Sequence, residues 1–248
     1  SSLHEEIIKK IIKKKINFFV EKPALTSTKN ANKICKILKK SKITNMVGFQ
    51  QRFNPILIKI KKIVKQQKFG KILSSEFKWH TFLPDHHKYE NYKNSYAARR
   101  DLGGGVTFSL IHEIDIIQWF FGMPKKILAF KNQYKRIKID ADESSQSFLY
   151  FKNRLGKFNT YLSLSFAEKK NERIFKIFFE KATLECNLME NSLLISSKEK
   201  LIVKRKLKIN NNDLFKKEIN FFINAVISKK NKNKISFAEG CKSVYIAE

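Results

Sequence analysis

A histidine and an aspartate stand behind three consecutive glycines, in Gly103-Gly104-Gly105-Val106-Thr107-Phe108-Ser109-Leu110-Ile111-His112-Glu113-Ile114-Asp115. Glycine lets the backbone approach another group closely. The apolar residues that follow predict one continuous helix ended by Gly122, with His112 about two turns in and Asp115 on the same face. An imidazole exchanges protons near neutral pH, so His112 is a candidate general acid–base in a cleft. Read by itself, such a histidine is more often a core residue bonded to a backbone carbonyl.

A lysine follows a short apolar run near the start of the chain, in Ile16-Asn17-Phe18-Phe19-Val20-Glu21-Lys22-Pro23. The aromatic and β-branched residues of this run predict a strand that Glu21-Lys22-Pro23 ends. Ligands of open α/β sheets bind outside the carboxyl ends of the strands. The Lys22 ammonium is therefore placed to stabilise negative charge on a bound oxygen. The alternative is a solvated surface lysine, one of 51 basic side chains in the sequence.

The elements that must position these residues alternate, up to Gly70, between helices and short apolar strands. Such alternation is typical of a parallel sheet covered on both faces. The predicted elements are a helix over 4–16, a strand over 16–20, a helix over 26–40 capped by Ser27 or Thr28, a strand over 44–49 and a helix that opens at Asn54-Pro55.

Beyond Gly70 the pattern changes to successive strands with short turns, which indicates a largely antiparallel sheet. A polar, aromatic loop over 83–102 separates the first of these strands from the glycine-rich helix, and Trp79, Tyr89, Tyr92 and Tyr96 are candidates either to line a sugar cleft or to pack in the core. The predicted strands cover 71–82, 126–134, 145–151, 158–166, 173–179, 182–188, 192–196 and 201–207, and helices over 212–228 and 237–248 finish the chain.

The composition narrows the classes of function. The net charge is +29, but lysine is spread over almost every segment, whereas a nucleic-acid site would concentrate basic residues on one face. A nucleic-acid-binding protein is therefore the third hypothesis.

Cys35, Cys186 and Cys241 are widely spaced and have no metal-ligand spacing, which favours reduced thiols in a cytoplasmic protein. No apolar run is long enough to span a bilayer, and no signal peptide is recognisable. His86-His87 has no third ligand at useful spacing, so no metal site is predicted.

Several motifs in this order resemble the Gfo/Idh/MocA oxidoreductase family, over nearly the whole chain. The quoted motifs are Ser1-Ser2-Leu3-His4, Phe18-Phe19-Val20-Glu21-Lys22-Pro23, Val47-Gly48-Phe49-Gln50-Gln51-Arg52-Phe53, Leu83-Pro84-Asp85-His86-His87, Ser95-Tyr96-Ala97-Ala98-Arg99 and the segment from Gly103 to Asp115. The resemblance implies the C-terminal half of a Rossmann-type parallel-sheet domain over 1–52. It also implies a substrate-binding and oligomerisation α+β domain over 53–248, with a large, mainly antiparallel, open sheet. The last helix is expected to pack back on the first domain.

The resemblance implies a nicotinamide-dependent oxidoreductase that acts on a sugar, a sugar derivative or a cyclitol. His112 would exchange the proton of the substrate hydroxyl, and Lys22 would stabilise the developing alkoxide, aimed inward by a cis Lys22–Pro23 peptide. The substrate-binding candidates are Arg52, His87, Arg99, Ser109 and Asp115, with Arg99 alternatively a solvated partner of Asp101. The cofactor, NAD or NADP, would contact Ser1, Leu3, His4, Glu21, Lys22, Pro23 and Gln51.

The sequence departs from the family pattern in two places. It has no Gly-x-Gly-x-x-Gly, so the pyrophosphate site is expected to lie before Ser1, and this fragment is expected to bind the dinucleotide poorly. Many family members carry an aspartate about one turn before the histidine, where this chain has Phe108 and Ser109. A non-catalytic relative that acts in binding or assembly is therefore the second hypothesis. The family pairs subunits through the open sheet face, which predicts a homodimer or a dimer-based tetramer.

Overall fold

The computed structural model describes residues 2–85, 91–198, 200–228 and 235–248. Its first part is a two-stranded parallel sheet in which β1 (Phe18–Glu21) pairs with β2 (Asn45–Gly48), in register from Phe18–Asn45 to Glu21–Gly48. The strand β2 is buried throughout, as expected for a parallel strand covered on both faces. The carboxyl ends of β1 and β2 therefore meet at one edge of this sheet, beside Lys22 and Gln50.

Three helices alternate with these strands along the chain: α1 (His4–Lys13), α2 (Ala31–Lys40) and α3 (Pro55–Gln66). Two predicted boundaries were wrong. The first helix ends before Ile16, because Lys15 adopts a left-handed conformation with φ of 55°. Ser27 and Thr28 do not cap α2, since the Ser27 hydroxyl and the Thr28 amide donate to the Glu248 carboxylate instead, at 3.1 and 2.9 Å. The start of α3 follows the prediction, and the Asn54 side chain accepts from the Ile56 amide.

The last helix, α7 (Phe237–Ala247), packs on the small sheet. The Val47 amide donates to the Ile235 carbonyl at 3.0 Å, and the rings of Phe18 and Phe237 meet edge to face at 6.2 Å. Gly240 faces Val47 so closely that a Cβ on it would lie 2.5 Å from the valine methyl group. A larger residue at 240 would therefore push the helix off β2.

The rest of the strands form an eight-stranded sheet in the order β10-β9-β8-β7-β3-β6-β5-β4. Only β3 and β6 run parallel, and the other neighbours are antiparallel. The predicted fold class, a small parallel sheet followed by a large and mainly antiparallel one, is confirmed. The strands are β3 (Ile72–Phe82), β4 (Lys126–Asn132), β5 (Ser144–Asn153), β6 (Gly156–Ser165), β7 (Ala167–Phe179), β8 (Thr183–Asn187), β9 (Ser192–Ser197) and β10 (Lys200–Lys206).

The two faces of this sheet differ in what covers them. One face holds an aromatic core in which Phe77 stacks on Phe175 at 4.7 Å and Phe121 packs on Phe158 at 5.2 Å. On the other face, Leu128, Phe148 and Tyr161 are successive cross-strand partners, and Phe148 is 50% exposed. Cross-strand partners share a face, so this face carries an exposed apolar surface. The helix α6 (Asn211–Ile227) contacts β2 and the turn after it.

The glycine-rich segment leads into two helices, and the prediction of one continuous helix was wrong. The first, α4 (Val106–Ser109), is capped by Asp142, which accepts from the Thr107 amide and hydroxyl at 3.2 and 2.8 Å. Leu110 leaves the helical conformation, and α5 (His112–Phe121) begins anew. His112 is therefore the first residue of its helix, at the edge that faces Lys22. Only glycine fits at position 104, because a Cβ there would lie 2.2 Å from the Tyr96 carbonyl oxygen.

Candidate active site

A cavity of about 710 Å³ opens where the small sheet meets the large one. The turns after β1 and β2 contribute Lys22 and Gln51, the glycine-rich segment contributes Ser109 and His112, and β7 contributes Arg173. A cavity of this size accommodates small organic ligands. The two residues predicted to do the chemistry, Lys22 and His112, line it together.

The lysine is held in place by the segment before α5. The Lys22–Pro23 peptide is cis, as the family resemblance implies. The Lys22 Nζ donates to the carbonyl oxygen of Ser109 at 2.7 Å and to the Tyr96 hydroxyl at 3.3 Å. An ammonium has three N–H groups, so one remains for a ligand. Lys22 is thus a fixed positive charge at the wall of the cavity.

The imidazole of His112 is 5% exposed and is held between two aromatic rings. The ring centroids of Phe49 and Trp79 lie 5.7 and 6.5 Å from it. The His112 Nδ1 has no hydrogen-bond partner among the described residues, unlike the core histidine of the alternative interpretation. Burial lowers the pKa of His112 well below its ordinary 6.5, and the charges of Lys22 and Arg173 lower this pKa further. The imidazole is therefore neutral at pH 7 and able to accept a proton.

Sequence reasoning missed a third basic group in the cavity, Arg173. Its Nε and Nη2 donate to the Glu113 carboxylate at 2.7 and 3.1 Å, and its guanidinium lies 3.8 Å from the centroid of Trp79. Cation–π contact and a bidentate ion pair hold the group rigidly. No motif marks this residue, because a single arginine at a predicted strand start does not stand out in a chain with 51 basic residues.

Arg52 and Asp115, predicted to bind substrate, are not among the described residues that line the cavity. Arg52 Nε and Nη2 donate to Asp115 Oδ2 and Oδ1 at 2.9 and 2.6 Å, and the two side chains are 4% and 1% exposed. Ser243 also donates to Asp115, at 3.2 Å. Burial opposes the charge of Arg52, but the Asp115 and Glu239 carboxylates outweigh it and raise the pKa of Arg52. The pair ties the turn after β2 to α5 and α7.

The remaining substrate-binding candidates lie in different places. Ser109 lines the cavity, and its buried Oγ has no hydrogen-bond partner among the described residues. Arg99 lies outside the cavity, where its exposed guanidinium pairs with Asp101 at 2.6 Å. Hydrogen bonding to Asp101 raises the pKa of Arg99, as expected from the solvated alternative. His87, with the neighbouring His86, is outside the described residues.

The predicted cofactor contacts cluster at the edge of the small sheet, with Ser1 outside the described residues. His4 Nδ1 is bonded to the Pro23 carbonyl at 2.9 Å, which joins α1 to the turn after β1. The Glu21 carboxylate lies against Gly48, and desolvation raises its pKa. Gln51 lines the cavity, whereas Leu3 is 61% exposed.

Comparison with known proteins identifies the family. Residues 57–185, more than half of the chain, match the model of the GFO/IDH/MocA C-terminal domain. Residues 1–49 match the oxidoreductase family model with an NAD-binding Rossmann fold. The chain belongs to the Gfo/Idh/MocA oxidoreductase family.

Two curated relatives of this Gfo/Idh/MocA chain are sugar-related enzymes by name. The 2,7-anhydro-N-acetylneuraminate hydratase of Escherichia coli (strain K12) is 29% identical over 122 residues, which are 48% of this chain and 31% of that protein. The D-xylose dehydrogenase of Paenarthrobacter nicotinovorans is 27% identical over 132 residues, 52% of this chain and 34% of that protein. The chain thus aligns with about a third of these relatives' length.

Solved structures share the fold of this Gfo/Idh/MocA chain over almost its whole length. A levoglucosan dehydrogenase in complex with NADH superposes with a TM-score of 0.84 at 17% identity, covering 99% of this chain and 73% of the other. An inositol dehydrogenase homologue from Azotobacter vinelandii, complexed with NADH and myo-inositol, gives a TM-score of 0.82 at 9% identity over 99% and 71%. Within the described residues, no helix combines the length and apolarity that crossing a membrane requires.

Proposed function

We propose that the protein carrying this chain is an NAD- or NADP-dependent oxidoreductase that moves hydride between the nicotinamide and a hydroxyl-bearing carbon of a sugar, sugar derivative or cyclitol. The observation that carries the proposal is the convergence of Lys22 and His112 on one cavity. Membership of the Gfo/Idh/MocA family and the names of its dehydrogenase relatives support the same reaction. The domain division at residue 52 belongs to this proposal, with the cofactor on the small-sheet side.

The site residues divide the reaction between them. As the C–H bond of the substrate breaks, its electron pair leaves as hydride, and the hydroxyl proton passes to the neutral imidazole of His112. The remaining Lys22 N–H stabilises the negative charge that develops on the same oxygen. Because the Ser109 carbonyl fixes Lys22 Nζ at 2.7 Å, this charge needs little rearrangement to act. Ser109 Oγ supplies a hydrogen bond to a further substrate hydroxyl.

The residues present fit the nicotinamide half of a dinucleotide. Among the described residues, His112 Nδ1 and Ser109 Oγ have no hydrogen-bond partner, and they are buried beside a cavity of about 710 Å³, which leaves polar atoms and space for a ring and a sugar. Glu21, Pro23 and Gln51 would hold the nicotinamide side, with Leu3 and His4 next to it. The nicotinamide, when bound, supplies the hydride acceptor or donor.

The proposal is tested by hydride transfer in the full-length protein. Reduction of NAD⁺ and NADP⁺ is followed by absorbance with a panel of sugars and cyclitols. H112A and K22M are each expected to lower kcat by about 100-fold or more, since a positioned proton acceptor contributes about 10²–10⁴-fold. H80N and K33M change a histidine and a lysine outside the cavity and serve as matched controls. Unchanged turnover in H112A would contradict the mechanism.

A non-catalytic relative is the second candidate, because Ser109 cannot hold the negative charge of an aspartate. Tight dinucleotide binding by the full-length protein, measured by titration, without turnover of any sugar in the panel, would favour it. We also infer a cytoplasmic location, which the free thiols of Cys35, Cys186 and Cys241 support.

The open face of the large sheet is proposed as the subunit interface of a homodimer or a dimer-based tetramer. Leu128, Phe130 and Phe148 are between 50% and 59% exposed there. An apolar surface on a folded protein is a typical docking surface. Light scattering should give at least twice the monomer mass, and F148K should reduce it, whereas K33M should not. A monomer mass for the unsubstituted protein would contradict this proposal.

A further inference from the structure

The charges that line the cavity are all of one sign. Lys22 and Arg173 reach the cavity from opposite domains of the fold, whereas none of the described residues that line it is an aspartate or a glutamate. The other polar lining residues are neutral and include Gln51, Asn54 and Asn191. The aspartate expected beside the histidine is replaced by Ser109. The lining of the cavity therefore presents positive groups and no carboxylate, with Glu113 behind Arg173 balancing part of the charge.

The Arg173 guanidinium has an unused edge. Glu113 occupies its Nε and Nη2, and the stacking on Trp79 fixes its plane. Its Nη1 has no hydrogen-bond partner within the described parts of the chain, although the residue lines the cavity. Carboxylates and phosphates are the groups that a preorganised guanidinium binds best. Neutral sugar hydroxyl groups both donate and accept and can be bound by the lining amides, so only an anionic group gains specifically from the charge of Arg173.

We propose that the site selects an anionic sugar, one that carries a carboxylate or a phosphate, and that Arg173 binds the anionic group while Lys22 and His112 face the reacting carbon. This inference rests on the proposed function for the roles of Lys22 and His112 at the reacting carbon. The residue that sets specificity is Arg173. It lies on β7 of the large sheet, away from the small-sheet edge assigned to the cofactor, so it acts on the sugar and not on the pyrophosphate.

Binding can be measured separately from turnover. Titration calorimetry of the full-length protein in NADH, which prevents oxidation, compares matched sets: D-glucose, D-galactose and D-mannose, their uronates and their 6-phosphates. At least one uronate or 6-phosphate is expected to bind about tenfold or more tightly than its parent, because a hydrogen bond to a charged group corresponds to about 10- to 100-fold in affinity. Comparing the uronate and phosphate arms distinguishes the two anionic groups.

The variants assign the effect to Arg173. R173Q should abolish the preference for the anion and leave binding of the neutral parent within about threefold. R173K should retain part of the preference, and the double variant E113Q/R173Q removes both buried charges if R173Q folds poorly. R205Q, which removes an exposed arginine of β10, is the matched control and should change nothing.

The outcomes separate this inference from the proposed function. An Arg173-dependent preference for anions without hydride transfer to NAD⁺ or NADP⁺ would leave the anion site standing and overturn the oxidoreductase. Oxidation of neutral sugars, with anionic sugars binding no more tightly than their neutral parents, would support the oxidoreductase and overturn the anion site. Equal loss of both ligand classes in R173Q, or no binding of any member of the three sets, would overturn the anion site.

Discussion

Two buried arginine–carboxylate pairs join the helix α5 to different parts of the molecule. Arg52 binds Asp115 with side chains that are 4% and 1% exposed, and Arg173 binds Glu113 with side chains that are 11% and 3% exposed. Both pairs are bidentate. The first is enclosed by Ser243, Gln118 and Glu239, whereas the second lies at the wall of the cavity.

The difference in surroundings gives the same chemistry two uses. All the carboxylate bonds of Asp115 go to protein groups, so the Arg52 pair connects the turn after β2 to α5 and α7 and has no group left for a ligand. Arg173 lines the cavity, and its Nη1 has no hydrogen-bond partner in the part of the chain that the structure describes. An ion pair sealed on all sides positions elements, and one with an open edge can bind a ligand.

Removing the arginine from each pair should have its largest effect on the stability of the fold. R52M leaves Asp115 buried without its partner and should lower the free energy of unfolding by about 3–5 kcal/mol. R173M should cost about half as much, roughly 1.5–2.5 kcal/mol, since Arg173 lines the cavity and its shortening would open the buried Glu113 behind it to water. Urea unfolding followed by tryptophan fluorescence measures both. Equal losses in the two variants would show that the pairs do not differ in enclosure.

Sequence patterns predicted the parallel and antiparallel sheets, because periodicity is a local property. The prediction that Lys22 and His112 share one site came from the family resemblance. Sequence patterns did not distinguish Arg52 from Arg173. Arg52 lies in a quoted motif and Arg173 in none, and yet only Arg173 reaches the cavity. Which arginine has an open edge depends on packing by α7 and β7, from distant parts of the chain. The helix break at Leu110 was missed for a similar reason, because Asp142 caps α4 from a remote loop.

A third buried carboxylate, that of Glu218, has no arginine partner and extends the comparison. It lies on α6 with 1% exposure, and its Oε1 has no hydrogen-bond partner among the described residues. Burial, together with the neighbouring Glu21 and Asp115, raises the pKa of Glu218 to about 8 against the opposing effect of the Phe49 amide. Without a guanidinium beside it, this carboxyl is protonated in the folded state at pH 7.

The expected effect is a pH-dependent gain in stability for E218Q. Because the pKa of Glu218 is about 8 in the folded state and 4.5 in the unfolded state, its contribution to stability is complete below pH 4.5. This contribution is lost as the pH rises towards about 8. E218Q lacks this loss, so its stability relative to the unsubstituted protein should rise by roughly 2–4 kcal/mol between pH 5 and pH 9. E6Q, at an exposed position, is the control. A difference that stays constant with pH would mean that Glu218 is ionised in the fold.

The smallest effect concerns how each arginine acts on His112, and it sharpens the comparison most. Burial lowers the pKa of His112, and Lys22 and Arg173 lower it further, while Arg52 is not among the contributing charges. His112 accepts a proton only when it is neutral. For the oxidation of a sugar, kcat/KM should therefore begin to fall only when the pH drops below 6.5. R173Q removes a nearby positive charge and should move this acid limb to higher pH, which lowers kcat/KM by roughly twofold to fivefold at a pH within the limb. A neutral parent sugar is the substrate of choice, so that loss of the anion site does not enter the comparison. R52M should leave the acid limb of kcat/KM in place despite its larger cost in stability. If the limb moved equally in both variants, general loosening of the fold, and not charge, would set the pKa of His112.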